Sequence, residues 1–277
     1  MNKIMIWEII QYYRTPVKYE FIKPMGYLKE GVAMIARANR CQATWQSHYA
    51  NCQQSIHEAI GKAQHKVFGG LEHDSEQKPK LKKVIVLGAG SLNDIPLQGL
   101  SQAFQEVLLV DLVFLPAARN KIKLYSNIQL IEHDVTESLS KVYHGKTRIS
   151  EPNFWLNDSE VDLIISLNLI TQLPLIPVRW LIKHQKIDDA QAQAIGHEII
   201  QNHLNYLSQF SAVTCLIADR ENREMNIQTG EIEKIDPWWG VSYPPVKKSW
   251  DWNLIPKGEI SQKFSQTNHV GVSYLNF

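Results

Sequence analysis

The sequence has few cysteines, no long hydrophobic run and almost no net charge. The cysteines cannot form a full set of pairs and show no CxxC spacing, so we expect a reduced, cytoplasmic protein; they are Cys41, Cys52 and Cys215. The net charge of +1, from 29 basic and 28 acidic residues, gives no electrostatic reason to expect general nucleic-acid binding. The apolar stretch 1–13 carries Glu8 and is too short to span a membrane, so we interpret it as a short amphipathic helix.

The chain divides near residue 80. From Tyr27 to about His65, apolar residues recur at steps of three and four without a proline, which predicts helices with one apolar face. The polar, charged stretch Gly69–Lys80 is typical of a linker. We therefore predict an N-terminal helical cap over residues 1–80 and a second domain over residues 81–277.

After the linker, five apolar runs alternate with helical segments. The runs are Val84–Leu87, Val107–Val110, Ile128–Glu132, Val161–Ser166 and Val213–Ala218. This alternation predicts an α/β fold with a doubly wound, mostly parallel sheet and helices on both faces. A Thr-Gly turn and the alternating segment HVGVSYLNF near the end of the sequence predict antiparallel strands that complete a seven-stranded sheet.

The first apolar run, in KKVIVLGAGSLNDIPL, leads into a glycine turn that predicts a ligand site. In an open parallel sheet, ligands bind at the carboxyl ends of the strands, where the strand order reverses. Gly88 and Gly90 let a ligand approach the backbone, and Asp111 can accept hydrogen bonds from both ribose hydroxyls. The alternative at this point is a plain strand-to-helix turn beside a solvated aspartate.

An NAD-dependent oxidoreductase is a further alternative. The dinucleotide fingerprint is G-x-G-x-x-G, in which the third glycine lets helix and strand pack closely. Here that position is Asn93, and Asp94 places a negative charge where a pyrophosphate prefers helix amides. The sequence therefore disfavours a dinucleotide.

Four segments in order resemble the motif series of class I S-adenosylmethionine-dependent methyltransferases: VIVLGAGSLNDIPL, VLLVDLV, IEHDVTE and VDLIISLNLITQLPL. The resemblance covers about Lys82 to Arg220. It implies a Rossmann-like sheet of the class I methyltransferase type, S-adenosyl-L-methionine as the cofactor, and methyl transfer as the activity. Two departures are Leu92 in place of a third glycine and the absence of [DNS]-P-P-[YFW] after the fourth strand.

The resemblance also implies roles for single positions. In that family the glycine turn lies beside the methionine part of the cofactor, and the acid after the second strand holds the ribose. An Asp after the third strand meets the adenine amino group, and the segment after the fourth strand lines the methyl-transfer site. The cofactor-binding set carried over in this way is Gly88, Ala89, Gly90, Asp111, Leu112, Asp134, Val135 and Asn168. From the residues alone, capping of the segments that follow them is the alternative role for Asp134 and Asn168.

The methyl acceptor is not identified by the sequence, nor is the need for a general base. We predict a closed pocket for a small molecule, lined by Asn168, by Arg40 and His48 of the cap, and by a tail tryptophan such as Trp238. A solvated basic face for Arg40, and a place in the core of the closing hairpins for Trp238, are the alternatives.

Three expectations concern cofactors and partners. His48, Cys52 and His57 suggest metal ligands, but their spacing lets only some of them converge, so we expect no metal. An inactive chain that keeps the methyltransferase fold as a binding subunit is favoured by Leu92 and opposed by the acids of the motif series. A small molecule is the expected partner, and assembly into a homo-oligomer is left open.

Overall fold

The structure, a computed structural model, describes residues 3–69 and 79–277. The predicted linker Gly69–Lys80 therefore lies mostly outside the described residues, which omit 70–78. Before the first strand, the helices are α1 (Lys3–Arg14), α2 (Ile22–Met25), α3 (Tyr27–Arg40) and α4 (Gln42–Phe68). No described helix has both the length and the apolar character that a membrane span requires.

After residue 79, strands and helices alternate. The strands are β1 (Leu81–Leu87), β2 (Phe104–Asp111), β3 (Ile128–Glu132), β4 (Val161–Leu167), β5 (Val213–Asn226), β6 (Ile232–Ile235), β7 (Lys248–Ile255) and β8 (Phe264–Leu275). The helices between them are α5 (Leu97–Ala103), α6 (Pro116–Ile122), α7 (Leu139–Tyr143), α8 (Leu175–Gln185) and α9 (Asp189–Ser208).

The described strands form one mixed sheet of eight strands in the order β3-β2-β1-β4-β5-β8-β7, with β6 paired to β5. Strands β1 to β5 are parallel, β8 is antiparallel to β5, and β7 is antiparallel to β8. The predicted parallel region and its antiparallel end are confirmed. The predicted count of seven strands is wrong, because β5 continues to Asn226 and folds back as a hairpin with the short, exposed β6.

Helices cover both faces of the sheet. Successive side chains of a strand point to opposite faces, and β1 buries Val84 and Val86 on one face and Ile85 and Leu87 on the other. Helices α4 and α5 cover the first face, and α9 covers the second.

The helices before residue 79 have two different positions. Helix α4 packs directly on the sheet, against β4, β5 and β7. Helices α2 and α3 bury Ile22 and Leu28 against Leu115 and Leu139, which follow the carboxyl ends of β2 and β3. Helix α4 thus supplies one helical layer of the sheet, whereas α2 and α3 lie over its carboxyl edge. The division into domains 1–80 and 81–277 stays a prediction.

Candidate functional site

The glycine turn after β1 lies where the strand order reverses, between β2 on one side and β4 on the other. Gly88 has φ +86, and a Cβ there would lie 2.6 Å from the carbonyl oxygen of Leu167. Gly90 has φ +41, and a Cβ there would meet only Asp111 Oδ2, at 3.5 Å. The end of β4 therefore requires glycine at position 88, whereas Gly90 borders open space.

Leu92 takes the place of a third glycine in the turn without changing the backbone shape that glycine favours. Its φ is +62, in the left-handed region, and its side chain is buried in the core. A residue with a Cβ pays about 1–2 kcal/mol for that conformation. The buried side chain offsets this cost, so the turn keeps its form.

Asp111 ends β2 and faces the glycine turn. Its Oδ2 accepts a hydrogen bond from Gly90 N at 2.9 Å, and its Oδ1 accepts one from Leu112 N at 2.7 Å. Burial raises the pKa of Asp111 to about 6, while the backbone amides oppose that shift. The structure thus brings the two main predicted cofactor residues, Gly90 and Asp111, into contact.

Asp134 acts as a cap. Its Oδ1 accepts from the amide and hydroxyl of Thr136, at 3.0 and 2.7 Å, and its Oδ2 accepts from Ser138 N and Leu139 N, at 3.0 and 2.8 Å. A carboxylate has about four acceptor sites, so these bonds occupy them all. The structure supports the capping alternative, and Asp134 has no acceptor left for an adenine amino group. Its neighbour Val135 packs into the α9 face of the core.

Asn168 follows β4 in the left-handed region, with φ +48, and its side-chain Oδ1 is buried. Its Nδ2 lies 3.0 Å from Asp94 Oδ2 and 3.2 Å from His48 Nε2. The predicted pair Asn168 and His48 is therefore brought together, although the two residues are 120 positions apart.

His48 is held on α4 by two tryptophans of β7. Trp250 Nε1 donates a hydrogen bond to His48 Nδ1 at 3.1 Å, and the Trp252 ring stacks on the imidazole with centroids 3.9 Å apart. Burial lowers the pKa of His48 to about 3, so the ring is neutral. Because an indole N–H only donates, Nδ1 is an acceptor and the ring proton lies on Nε2.

Two further polar groups surround the His48 imidazole. Cys52 Sγ lies 3.6 Å from His48 Nε2 and 3.8 Å from Asn168 Nδ2. Burial raises the pKa of the Cys52 thiol well above its usual value and that of Asp94 to about 6. We call this group the His48 cluster; its members are His48, Cys52, Asp94 and Asn168. Asp94 was missed as a site residue, and the one signal for it is its place in the loop that leaves the glycine turn.

Two residues predicted to line the acceptor pocket have other partners. Arg40 Nη2 lies 2.5 Å from Glu259 Oε1, and this ion pair joins α3 to the loop after β7. Trp238 is fully buried on the α9 face, where its Nε1 donates to Asp219 O at 2.6 Å and the Arg220 guanidinium lies over its ring. The expectation for these two residues is therefore corrected: the tryptophans beside His48 are in β7, and Arg40 is already paired.

His57 does not join His48 and Cys52. Its ring lies against Gly99, where an added Cβ would be 2.5 Å from Cε1. It lines a shallow surface depression with Pro96 and Tyr125, on the flank formed by α4 and α5.

The loop after the glycine turn does not provide a pyrophosphate site. Helix α5, the first described helix after the turn, begins at Leu97, seven positions after Gly90, so its N-terminus does not directly follow the glycines. Asn93 Oδ1 accepts a hydrogen bond from Lys121 Nζ at 2.6 Å, and the Asp94 carboxylate lies in the same loop. Because a dinucleotide phosphate binds free helix amides, this loop disfavours NAD.

No family model and no curated protein matches the sequence. Among solved structures, the DhpI–SAH complex matches with 11% identity and a TM-score of 0.34, over 86% of this chain and 93% of that one. The N-methyltransferase NodS from Bradyrhizobium japonicum WM9, in complex with S-adenosyl-L-homocysteine, matches with 10% identity and a TM-score of 0.31, over 80% and 98%.

A third similar structure is phosphoethanolamine N-methyltransferase 1 from Haemonchus contortus, in complex with phosphoethanolamine and S-adenosylhomocysteine. It matches with 12% identity and a TM-score of 0.30, over 85% of this chain and 49% of that one. These likenesses are loose and carry no conclusion about the activity of this chain.

Proposed function

We propose that this chain binds S-adenosyl-L-methionine at the glycine turn and transfers its methyl group to a small molecule. The contact between Asp111 and Gly90 carries the proposal. It sets a carboxylate beside a glycine that borders open space, at the reversal point of a parallel sheet. A nicotinamide dinucleotide is disfavoured, because the helix that follows the turn, α5, begins only at Leu97.

Asp111 is the proposed ribose ligand. Its hydrogen bonds from Gly90 and Leu112, together with a longer one from Val113 at 3.4 Å, occupy three of about four acceptor sites. The free site, and the site of the long Val113 bond once that bond is displaced, can accept the vicinal hydroxyls of a ribose, and they do so best when the carboxyl group is ionised, above about pH 6. Ala89 and Val135 remain proposed neighbours of the cofactor. Asp134 supports the site by capping the chain after β3.

The acceptor is proposed to approach above the end of β4, near Asn168. When bound, the cofactor supplies an electrophilic methyl group, and the protein has to align a nucleophile with it and exclude water. His48 is an unsuitable base at this position, because its Nε2 already carries the proton. The near-neutral charge of the chain agrees with a small acceptor rather than a polyanion.

Calorimetry of the full chain with S-adenosylmethionine, S-adenosylhomocysteine and NAD(H) tests the proposal. Asp111→Asn is expected to weaken binding of both adenosyl compounds by about 10- to 150-fold, the scale of a hydrogen bond to a charged group. Asp162→Asn is a matched control, because Asp162 also accepts a backbone amide, from Lys82 at 2.6 Å, but at the amino end of β4. The Asp162→Asn variant is expected to bind both adenosyl compounds with the affinity of the unmodified chain.

Two outcomes would overturn the assignment. One is binding of NAD(H) without binding of the adenosyl compounds. The other is an unchanged affinity in Asp111→Asn. Adenosyl binding without any formation of S-adenosylhomocysteine, over a panel of small amines, thiols and acids, would instead favour the inactive binding subunit.

A further inference from the structure

The His48 cluster brings three separate parts of the chain to one point. Helix α4 contributes His48 and Cys52, the loop after β1 contributes Asp94, and the end of β4 contributes Asn168. The potential ligand atoms of the first three residues all lie within 4.8 Å of one another. Imidazole, thiol and carboxyl groups are the ligands that zinc prefers in proteins.

The spacing of the cluster matches a tetrahedral ion. Zn²⁺ lies about 2.0–2.2 Å from nitrogen and oxygen and about 2.3 Å from sulfur, so neighbouring ligands are roughly 3.3–3.6 Å apart. His48 Nε2 and Cys52 Sγ are separated by 3.6 Å. The Asn168 amide lies 3.0 Å from Asp94 Oδ2, 3.2 Å from His48 Nε2 and 3.8 Å from Cys52 Sγ. These four separations are close to the tetrahedral values, and the two from Asp94 to His48 and Cys52, which are at most 4.8 Å, would shorten when an ion binds.

The side chain of Asn168 can supply a fourth ligand atom, its amide oxygen. Its Oδ1 is buried and has no hydrogen-bond partner among the described residues. The two ends of an amide have nearly the same shape, so a half-turn of the side chain exchanges Nδ2 for Oδ1. The oxygen then occupies the fourth corner, beside the imidazole, the thiol and the carboxyl group.

We infer that the His48 cluster is a structural site for a divalent transition-metal ion, with Zn²⁺ preferred by its ligand types. Binding releases the thiol proton of Cys52, and the proton of Asp94 where it carries one, to solvent. The thiolate and carboxylate then balance the two charges of the ion. The mixture of nitrogen, sulfur and oxygen ligands excludes Mg²⁺ and Ca²⁺, which require oxygen ligands alone. The ion would join α4 to the carboxyl edge of the sheet.

The hydrogen bond from Trp250 to His48 competes with binding of the ion, and this competition can be measured. Its indole N–H donates to His48 Nδ1, which keeps the ring proton on Nε2. Coordination through Nε2 moves that proton to Nδ1, where it faces the indole N–H. Trp250 therefore has to turn away when the ion binds. Replacement of the indole by a ring without an N–H removes this competition.

Cobalt titration of the full chain, after removal of metals with a chelator, tests the site directly. We expect one Co²⁺ per chain, with the absorption bands of a tetrahedral ion and a thiolate charge-transfer band. Zn²⁺ is expected to displace it, with an affinity measured by competition against a chromophoric chelator. Cys52→Ser should abolish the charge-transfer band, and His48→Gln and Asp94→Asn should each weaken Zn²⁺ binding at least tenfold.

Matched variants separate the site from general effects on folding. Cys215→Ser changes another fully buried cysteine, on β5, and should leave the cobalt spectrum unchanged. Trp250→Phe should tighten Zn²⁺ binding severalfold, in the opposite direction to the ligand variants. The inference is overturned if Co²⁺ does not bind, or if its spectrum survives Cys52→Ser in a chain that is folded by circular dichroism. The cofactor calorimetry needs no metal, so the two proposals fail independently.

Discussion

The carboxylate of Asp111 accepts a hydrogen bond from the amide of Gly90, with 2.9 Å between Oδ2 and N. This contact ties the end of β2 to the turn after β1. It fixes the turn in the form that leaves space above Gly90, and it places the charge of Asp111 at that space. The same side chain thus shapes the proposed cofactor site and supplies its main polar contact.

Cofactor affinity should depend on pH through Asp111. Burial raises its pKa to about 6, and a protonated carboxyl group loses acceptor strength toward ribose hydroxyls. The dissociation constant of S-adenosylhomocysteine is therefore expected to be constant above about pH 7 and to rise about tenfold by pH 5. Calorimetry across this range measures the effect. In Asp111→Asn the dependence should disappear, and a profile that persists in that variant would assign it to another group.

At Leu92, substitution by glycine should destabilise the protein less than substitution by alanine. Leu92→Ala and Leu92→Gly both remove a buried side chain, but only glycine relieves the left-handed backbone at φ +62. We expect Leu92→Gly to be more stable than Leu92→Ala by about 1 kcal/mol. At Leu100, which is buried within α5, the order should be reversed by about the same amount. Urea unfolding of the four variants tests this, and an alanine advantage at both positions would contradict it.

Asp219 should make the protein less stable as the pH rises. Burial raises its pKa from 3.8 to about 6, and its Oδ1 has no hydrogen-bond partner among the described residues. The folded state thus binds a proton more tightly than the unfolded state does. Stability is lost between about pH 4 and pH 6, by on the order of 2–3 kcal/mol. Asp219→Asn should therefore gain stability relative to the unmodified chain at pH 8, but not at pH 4.

Asp251 serves as a control for Asp219, because its effect on stability should change with pH in the opposite direction. Although burial opposes it, hydrogen bonds from His269 and Arg223 hold the pKa of Asp251 below its usual value. Its contribution is therefore present at neutral pH and is lost as the pH falls through that lowered pKa. Asp251→Asn should lose stability at pH 7. Thermal unfolding of both variants at several pH values gives the comparison, and equal shifts in the two would contradict the assignment.

The part of the fold that the sequence predicts is the part set by local patterns. Runs of apolar residues and the glycine turn predict the parallel strands. Neighbouring parallel strands end at the same edge, so Gly90 and Asp111 could be placed together. The extra strand was missed because β5 continues through residues 219–226. These residues are polar except for Met225, the last two are exposed, and they show no apolar alternation that would extend the strand.

The rest of the site depends on contacts between distant segments. Arg40 looked like a free cation because its partner, Glu259, lies 219 positions further along the chain. Asp94 meets Asn168 across 74 positions and Trp250 meets His48 across 202. The register of β7 and the path of the loop after β1 decide these contacts, and neither is encoded in the spacing of nearby residues.

The contact between α4 and β7 has a consequence for synthesis of the protein. The apolar face of α4, which includes Trp45, is covered in part by Trp252 of β7 and Val270 of β8. A ribosome adds about 5–20 residues per second, and β7 and β8 are made about 200 residues after α4. The apolar face of α4 therefore stays uncovered for roughly 10–40 s. A long amphipathic helix left uncovered for that time is a target for chaperones. We therefore expect the nascent chain to reach its native state only after β7 and β8 leave the ribosome.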